Sequence, residues 1–225
     1  ESVLRRYIED EGGVDPRAAC VAVAGPVRDG RATLTNLDWT IDKTTLMRAT
    51  RAETVAILND LQAQGHALGH LDPAVIRPIL AGPGVQAHAA RLVIGVGTGF
   101  NAAPVFETAN GRLVPPSEAG HANLPIRTDA DLRLCRYVET AHGFPGVEDV
   151  LSGRGLERAY AWLSDEAGDP RERSAQQIME SCADGQDERA IEAARIFTRI
   201  LGTVAGNLAL IQLPFGGIFL VGGVS

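Results

Sequence analysis

Short apolar runs alternate along this chain with stretches of helical period, and that alternation restricts the fold more than any other feature. Residues 20–24 read as a buried strand, stopped by Gly25-Pro26. Asp29-Gly30 is a hairpin signal leading into a second strand, 31–35. Residues 54–58 form a third apolar run, ending at Asn59-Asp60. Residues 92–96 run into Gly97-Thr98-Gly99, then a strand over 102–108 turned at Asn110-Gly111, and 218–221 close the chain as a strand. Helices are predicted over 2–11, with Leu4, Tyr7 and Ile8 on one face, and beyond Asp42, an N-cap for a helix through Leu46 and Met47. Further helices are predicted over 131–141, 155–166 and 176–182. The longest, 188–212, carries Phe197, Ile200, Leu201, Val204, Leu208 and Ile211 on one apolar face, with Gly202 and Gly206 allowing a close neighbour. The pattern is that of an α/β protein with a largely covered sheet. The proline- and glycine-bearing stretch 71–84 separates a smaller lobe, 1–70, from a larger one, 71–225.

Composition narrows the partners. The 225 residues carry a formal net charge of −7, and Lys43 is the single lysine. No basic run or basic helix face is present, so nucleic acid is not an expected partner. Cys20, Cys135 and Cys182 are scattered without a Cys-x-x-Cys pair, the pattern of buried thiols in a reducing cytosol rather than of a zinc or redox site. No run reaches the roughly 18 apolar residues of a spanning helix. No secretory signal pattern opens the chain, and a cytoplasmic protein without a membrane partner is expected.

Four groups of residues could carry chemistry. Asn59-Asp60 lies at the carboxyl end of a strand, where open α/β sheets bind ligands. An amide beside a carboxylate suits a polyol, and a carboxylate can take a proton from an attacking hydroxyl; Asp60 could equally cap the next helix. Gly95-Val96-Gly97-Thr98-Gly99 follows a strand and exposes backbone N–H groups and a hydroxyl to phosphate oxygens, or is a tight turn. It matches neither the P-loop nor the dinucleotide fingerprint, because a strand rather than a helix follows. Glu118 and His121 share a non-periodic loop, 115–125, and either converge on a small ligand or lie in a solvated loop. No second pair at metal-ligand spacing accompanies them. Glu148, before Asp149-Val150-Leu151-Ser152-Gly153, is either a ligand or an acidic approach to a helix start.

Together these pieces resemble the bacterial glucokinase family, in nearly the family's order along the whole chain. The resemblance rests on Ala24-Gly25-Pro26-Val27, Thr35-Asn36-Leu37-Asp38-Trp39, Leu58-Asn59-Asp60, Gly95-Val96-Gly97-Thr98-Gly99, Ser117-Glu118-Ala119-Gly120-His121, Glu148-Asp149-Val150-Leu151-Ser152-Gly153, Gly206-Asn207-Leu208-Ala209-Leu210 and the final stretch Phe215-Gly216-Gly217-Ile218-Phe219-Leu220-Val221-Gly222-Gly223. It implies a two-lobed hexokinase/actin-like (ribonuclease H-like) fold, with sugar between the lobes and nucleotide mainly on the larger one. It also implies ATP-dependent phosphorylation of glucose, Mg²⁺ bridging the ATP phosphates, and a homodimer. Carried over by residue, Asp60 is the general base on the sugar 6-hydroxyl, and Asn59, Glu118, His121 and Glu148 bond the other hydroxyls. Gly97, Thr98 and Gly99 form the second phosphate loop, and Gly222 and Gly223 lie near adenosine.

The family's opening Asp-x-Gly-Gly-Thr hairpin and its final helices are not found, so the chain is expected to be a central portion of such a protein. Asn101 and Ala102 depart from the pattern, since many members place a glycine and a small residue there. Two alternatives stay open: a broader hexose kinase of the same fold, and a non-catalytic sugar-sensing regulator. Such regulators usually add a helix-turn-helix module, which this sequence does not show.

Overall fold

A computed structural model describes residues 1–34, 39–82, 84, 86 and 88–224. Thr35, Asn36, Leu37 and Asp38, which carry part of the family resemblance and the end of the predicted second strand, lie outside the described residues, as does Pro83 of the 71–84 stretch. The chain divides into two compact units, Glu1–Arg77 with Val114–Pro116, and Pro78–Leu113 with Ser117–Ser225.

The first unit contains α1 (Ser2–Asp10), β1 (Ala18–Val23), β2 (Val27–Arg28), β3 (Arg31–Thr33), β4 (Thr40–Asp42), α2 (Lys43–Thr50), β5 (Thr54–Asn59) and α3 (Asp60–Ala67). β1 pairs in parallel with β5, with Val23 opposite Asn59. β2, β3 and β4 form an antiparallel meander. Its first turn uses Asp29 (φ 53°) and Gly30 (φ 72°). Two left-handed residues in succession give the turn twist that matches flanking strands. Asp42 caps α2 by accepting from the Thr45 N–H at 2.7 Å. Val23, Ala32, Leu46 and Ile57 form the core.

Two expectations change here. The strand over 20–24 starts earlier and is not buried: exposure alternates along β1, Cys20 is exposed, and only Val23 is buried. Among the described residues β5 is its only strand partner, so each alternate side chain faces away from the small core. On α1 only Leu4 packs against that core, while Tyr7 is 62% exposed. On α2, Leu46 is buried and Met47 turns outward.

The second unit holds a four-stranded sheet in the order β8-β7-β6-β9, from β6 (Arg91–Val96), β7 (Phe100–Thr108), β8 (Gly111–Leu113) and β9 (Ile218–Val221). β6 runs parallel to β9 and antiparallel to β7, and β8 is antiparallel to β7. Leu92, Val93 and Ile94 are consecutive and all buried, which means both faces of β6 are covered. Four helices follow: α4 (Asp129–His142), α5 (Gly153–Glu166), α6 (Ala175–Ala183) and α7 (Glu188–Gln212). α7 packs on α5, α6 and β6.

Polar side chains fix the helices. Thr128 and Asp131 form a capping box on α4, and the Asp131 carboxylate also binds Arg199 of α7, with Nη2 at 2.5 Å from Oδ1. The Asp131 side chain is 1% exposed. Burial opposes its ionisation, but Arg199 and the Arg127 and Thr128 bonds prevail and hold its carboxyl below the ordinary value. Tyr160, fully buried on α5, donates to Asp187 at 2.9 Å, and Arg173 lies over its ring.

α7 corrects three expectations. Its apolar face holds at Phe197, Ile200 and Val204, but Ile211 is 71% exposed. Nothing approaches Gly202 or Gly206 within 4 Å of where a Cβ would stand, so among the described residues they mark no close helix contact. The helix is also long and apolar enough to cross a membrane, with a mean hydropathy of 1.3 over its most apolar stretch, contrary to the expectation that no stretch is. Its Ala190, Ala193, Ile196, Phe197, Ile200 and Val204 are buried in this unit's core. The expectation of buried thiols holds for Cys135 alone, since Cys182 is partly exposed.

Candidate functional site

The turn between β6 and β7 occupies only Gly97, Thr98 and Gly99, so β7 begins at Phe100, two residues before the predicted strand start. The turn is held by backbone bonds from three directions. Gly97 N–H donates to Gly99 O at 2.9 Å, Gly97 O accepts from Gly153 N–H at 2.9 Å, and Val96 O accepts from Val224 N–H at 3.2 Å. Gly153 opens α5, whose N-cap Ser152 bonds the Gly155 N–H. Since the Gly97 N–H is already used, Thr98 and Gly99 supply the loop's remaining amide donors. Thr98 is exposed.

Glu148 reaches this turn from a 3₁₀ turn, Val147–Asp149. Its Oε2 accepts from Phe100 N–H at 3.1 Å. A Cβ on Gly99 would collide with that same oxygen, and one on Gly120 would collide with the Phe100 carbonyl and crowd the Glu148 Cβ. These two glycines are what allow the hairpin, Glu148 and the loop carrying Glu118 and His121 to share one place. The neighbouring Asp149 is neutralised differently: it caps the Gly146 N–H at 3.0 Å and pairs with Arg158 at 3.1 Å. Of the two, Asp149 alone has an ion pair among the described residues.

Glu118 and His121 belong to the segment predicted as a loop, which contains a short 3₁₀ turn, Ala119–His121. Glu118 precedes that turn without capping it, and its carbonyl accepts from His121 N–H at 3.1 Å. Both side chains are exposed. Sequence reasoning missed what holds this segment. Asn101 donates from Nδ2 to Ser117 O at 2.6 Å, and its Oδ1 accepts from Ala119 N–H at 2.9 Å. The available signal was an amide at the start of a strand between two apolar residues, Phe100 and Ala102.

Gly222 follows β9 with φ 119° and sits against the Val96 carbonyl, where a side chain would collide. It and Gly223 therefore stand at the same end of β6 as the hairpin. Asn59 and Asp60 belong to the other unit. Asn59 ends β5 and caps α3: its Oδ1 accepts from Leu61 N–H at 2.9 Å and its Nδ2 donates to Gly25 O at 3.3 Å. Gln62 completes a capping box and donates to Val114 O. Asn59 is 7% exposed, so most of its amide is spent internally. Asp60, one residue on, is exposed in the first turn of α3, and its Oδ1 accepts from Leu61 N–H at 2.8 Å. The cap thus fixes the backbone of Asp60 while its other carboxylate oxygen is unused. Among the described residues no group of three His, Cys, Asp or Glu side chains could hold a metal ion.

A glycine hairpin closing two sheet strands, with carboxylate-bearing loops packed on it and helices behind, defines a chain of the hexokinase/actin-like ATPase fold. The chain belongs to the glucokinase family, whose family model, "Glucokinase", matches residues 1–225. It is 34% identical over 229 residues to a glucokinase of Sinorhizobium medicae, covering 100% of this chain and 66% of that protein. It thus spans just under two thirds of that relative's length. A solved glucokinase from an Antarctic psychrotroph is similar with a TM-score of 0.84 and 32% identity, over 99% of this chain and 69% of that one. A glucokinase from Balamuthia mandrillaris, solved in complex with glucose, matches with a TM-score of 0.75 and 26% identity, over 98% of this chain and 67% of that one.

Proposed function

We propose that this chain carries the sugar- and phosphate-binding residues of an ATP-dependent glucokinase, which transfers the terminal phosphoryl group of ATP to the 6-hydroxyl of glucose. The observation that carries this reading is the packing of Glu148 between Gly99 and Gly120, with Phe100 N–H on its Oε2. It joins a phosphate-type hairpin directly to a carboxylate suited to sugar hydroxyls. Kinship with the glucokinase complexed with glucose supports the choice of sugar.

Phosphoryl transfer asks a protein for positioning and charge neutralisation rather than covalent chemistry. The Thr98 and Gly99 amides and the Thr98 hydroxyl hold phosphate oxygens, while Gly97 closes the turn. Mg²⁺ arrives with ATP as part of that substrate and neutralises phosphate charge. Gly222 and Gly223 lie on the adenosine side. Glu118, His121 and Glu148 bond sugar hydroxyls, and Asn59 adds its remaining donor and lone pair while fixing Asp60 by the α3 cap. Asp60 accepts the proton of the 6-hydroxyl as the new P–O bond forms. The enzyme works in the cytoplasm as a homodimer.

The test is a coupled assay of ADP release by the full-length protein with a panel of hexoses, beside Asp60→Asn. That substitution keeps the shape and removes the base, and turnover should fall by roughly 10²–10⁴-fold. Near wild-type turnover of Asp60→Asn at saturating glucose would rule out Asp60 as the base. Equal efficiency on glucose, galactose and fructose would refute the assignment to glucose.

A further inference from the structure

Asn101 is the second residue of β7, directly after the residue that binds Glu148. Its carboxamide behaves as a piece of strand backbone. Nδ2 donates to Ser117 O at 2.6 Å, and Oδ1 accepts from Ala119 N–H at 2.9 Å and from Ala102 N–H at 2.8 Å. The segment it grips is not a strand and has no ladder of its own to β7. Glu118 therefore sits between two residues clamped by one side chain, one through its carbonyl and one through its N–H. The Glu118 side chain makes no cap bond, and His121 is placed by the 3₁₀ turn that starts at the clamped Ala119. On the other flank Gly120 lies against the Phe100 carbonyl.

We infer that Asn101 is a positioning residue that sets sugar affinity, by holding Glu118 and His121 in fixed register with the Gly97, Thr98 and Gly99 hairpin that opens the same strand. This rests on the glucokinase reading above. A donor and an acceptor on one short, half-buried side chain leave the segment little freedom, so the ordering is present before sugar arrives. A hydrophobic residue at 101 would leave the Ser117 carbonyl and the Ala119 N–H to find water.

The test uses the full-length protein with Asn101→Ala and Asn101→Asp. The alanine removes both clamping bonds. The aspartate keeps the size and the Ala119 bond but sets a carboxylate oxygen against the Ser117 carbonyl. Losing two hydrogen bonds predicts a glucose KM raised roughly tenfold or more in Asn101→Ala. It predicts a rise in Asn101→Asp as well, while the ATP KM stays within about twofold and kcat within about threefold. A purely structural role would instead lower the thermal midpoint and the active fraction, hence apparent kcat, with glucose KM unchanged. That outcome overturns the inference, as does a wild-type glucose KM in both variants. If the alanine variant does not fold, the isosteric aspartate decides alone. If the wild type turns over no glucose, the proposed activity has failed by itself. Calorimetric glucose binding then judges Asn101: weaker binding by Asn101→Asp than by wild type sustains the inference, and equal or absent binding by both overturns it.

Discussion

Gly120→Ala tests the packing around Glu148 most directly. The new methyl group would run into the Phe100 carbonyl oxygen and would also press on the Glu148 Cβ, 3.2 Å away. The first obstacle is backbone of β7, which cannot rotate aside as a side chain would. Gly120 is itself buried, so the methyl cannot swing toward solvent. Overpacking of a filled site costs about 1–3 kcal/mol. Taking about 2 kcal/mol, and about 2–4 °C per kcal/mol for a protein of this size, the thermal midpoint should fall by about 4–8 °C. The relief available is a shift of the 118–121 segment away from β7, which carries Glu118 and His121 with it. Scanning calorimetry should therefore show the lower midpoint, and steady-state kinetics of the full-length protein a raised glucose KM. A midpoint within about 1 °C of wild type, together with an unchanged KM, would show that the 118–121 segment does not sit against β7 as described.

Two further predictions concern stability away from the site. The folded Asp131 carboxyl titrates below its ordinary 3.8, because Arg199 and the cap bonds outweigh burial. A depressed carboxyl adds stability above the unfolded value, and that stability is lost as pH falls through the folded value. Urea midpoints taken from pH 6 to pH 3 should thus drop below about pH 4 in the wild type, and Asp131→Asn should be less stable at neutral pH with a shallower acid slope; parallel curves would refute this. Gly202→Ala places a methyl where nothing stands within 4 Å, in the interior of α7. It should stabilise by about 0.5–1 kcal/mol through backbone entropy, and a lowered thermal midpoint would reveal a packing contact at that face.

Local signals carried much of the fold. Asp29-Gly30 specified its hairpin because only a pair tolerant of left-handed φ fits that turn, and the bounds of α7 and β9 were legible from period and from the flanking turn residues. What periodicity cannot report is how many neighbours an element has. Residues 20–24 read as buried because they are apolar, yet among the described residues β1 has one strand partner and exposes Cys20. Gly202 and Gly206 resembled a close-approach motif that no neighbour among the described residues uses. At the candidate site the residue types were legible but their partners were not. Glu148 meets Phe100 across 48 residues of chain, and the fit depends on two absent side chains, at Gly99 and Gly120. Asn59 read as a ligand for hydroxyls is first of all a helix cap, because an amide at the end of a strand satisfies the N–H groups of the helix that follows.

The backbone bonds around the β6–β7 turn leave its amides less engaged than its carbonyls. The carbonyls of Val96, Gly97 and Gly99 each already accept a hydrogen bond, from the Val224, Gly153 and Gly97 N–H groups respectively. One lone pair of each is thus engaged by the protein's own amides, while the Thr98 and Gly99 N–H groups are the turn's remaining donors. The same bonds anchor the turn to the start of α5 and to the chain beyond β9, so its conformational entropy was lost when the unit folded. Ligand arrival has little left to order at this point. Any slow rearrangement that accompanies turnover must be sought in other parts of the molecule, and the turn should show the same amide-exchange protection with and without nucleotide at every residue except Thr98 and Gly99.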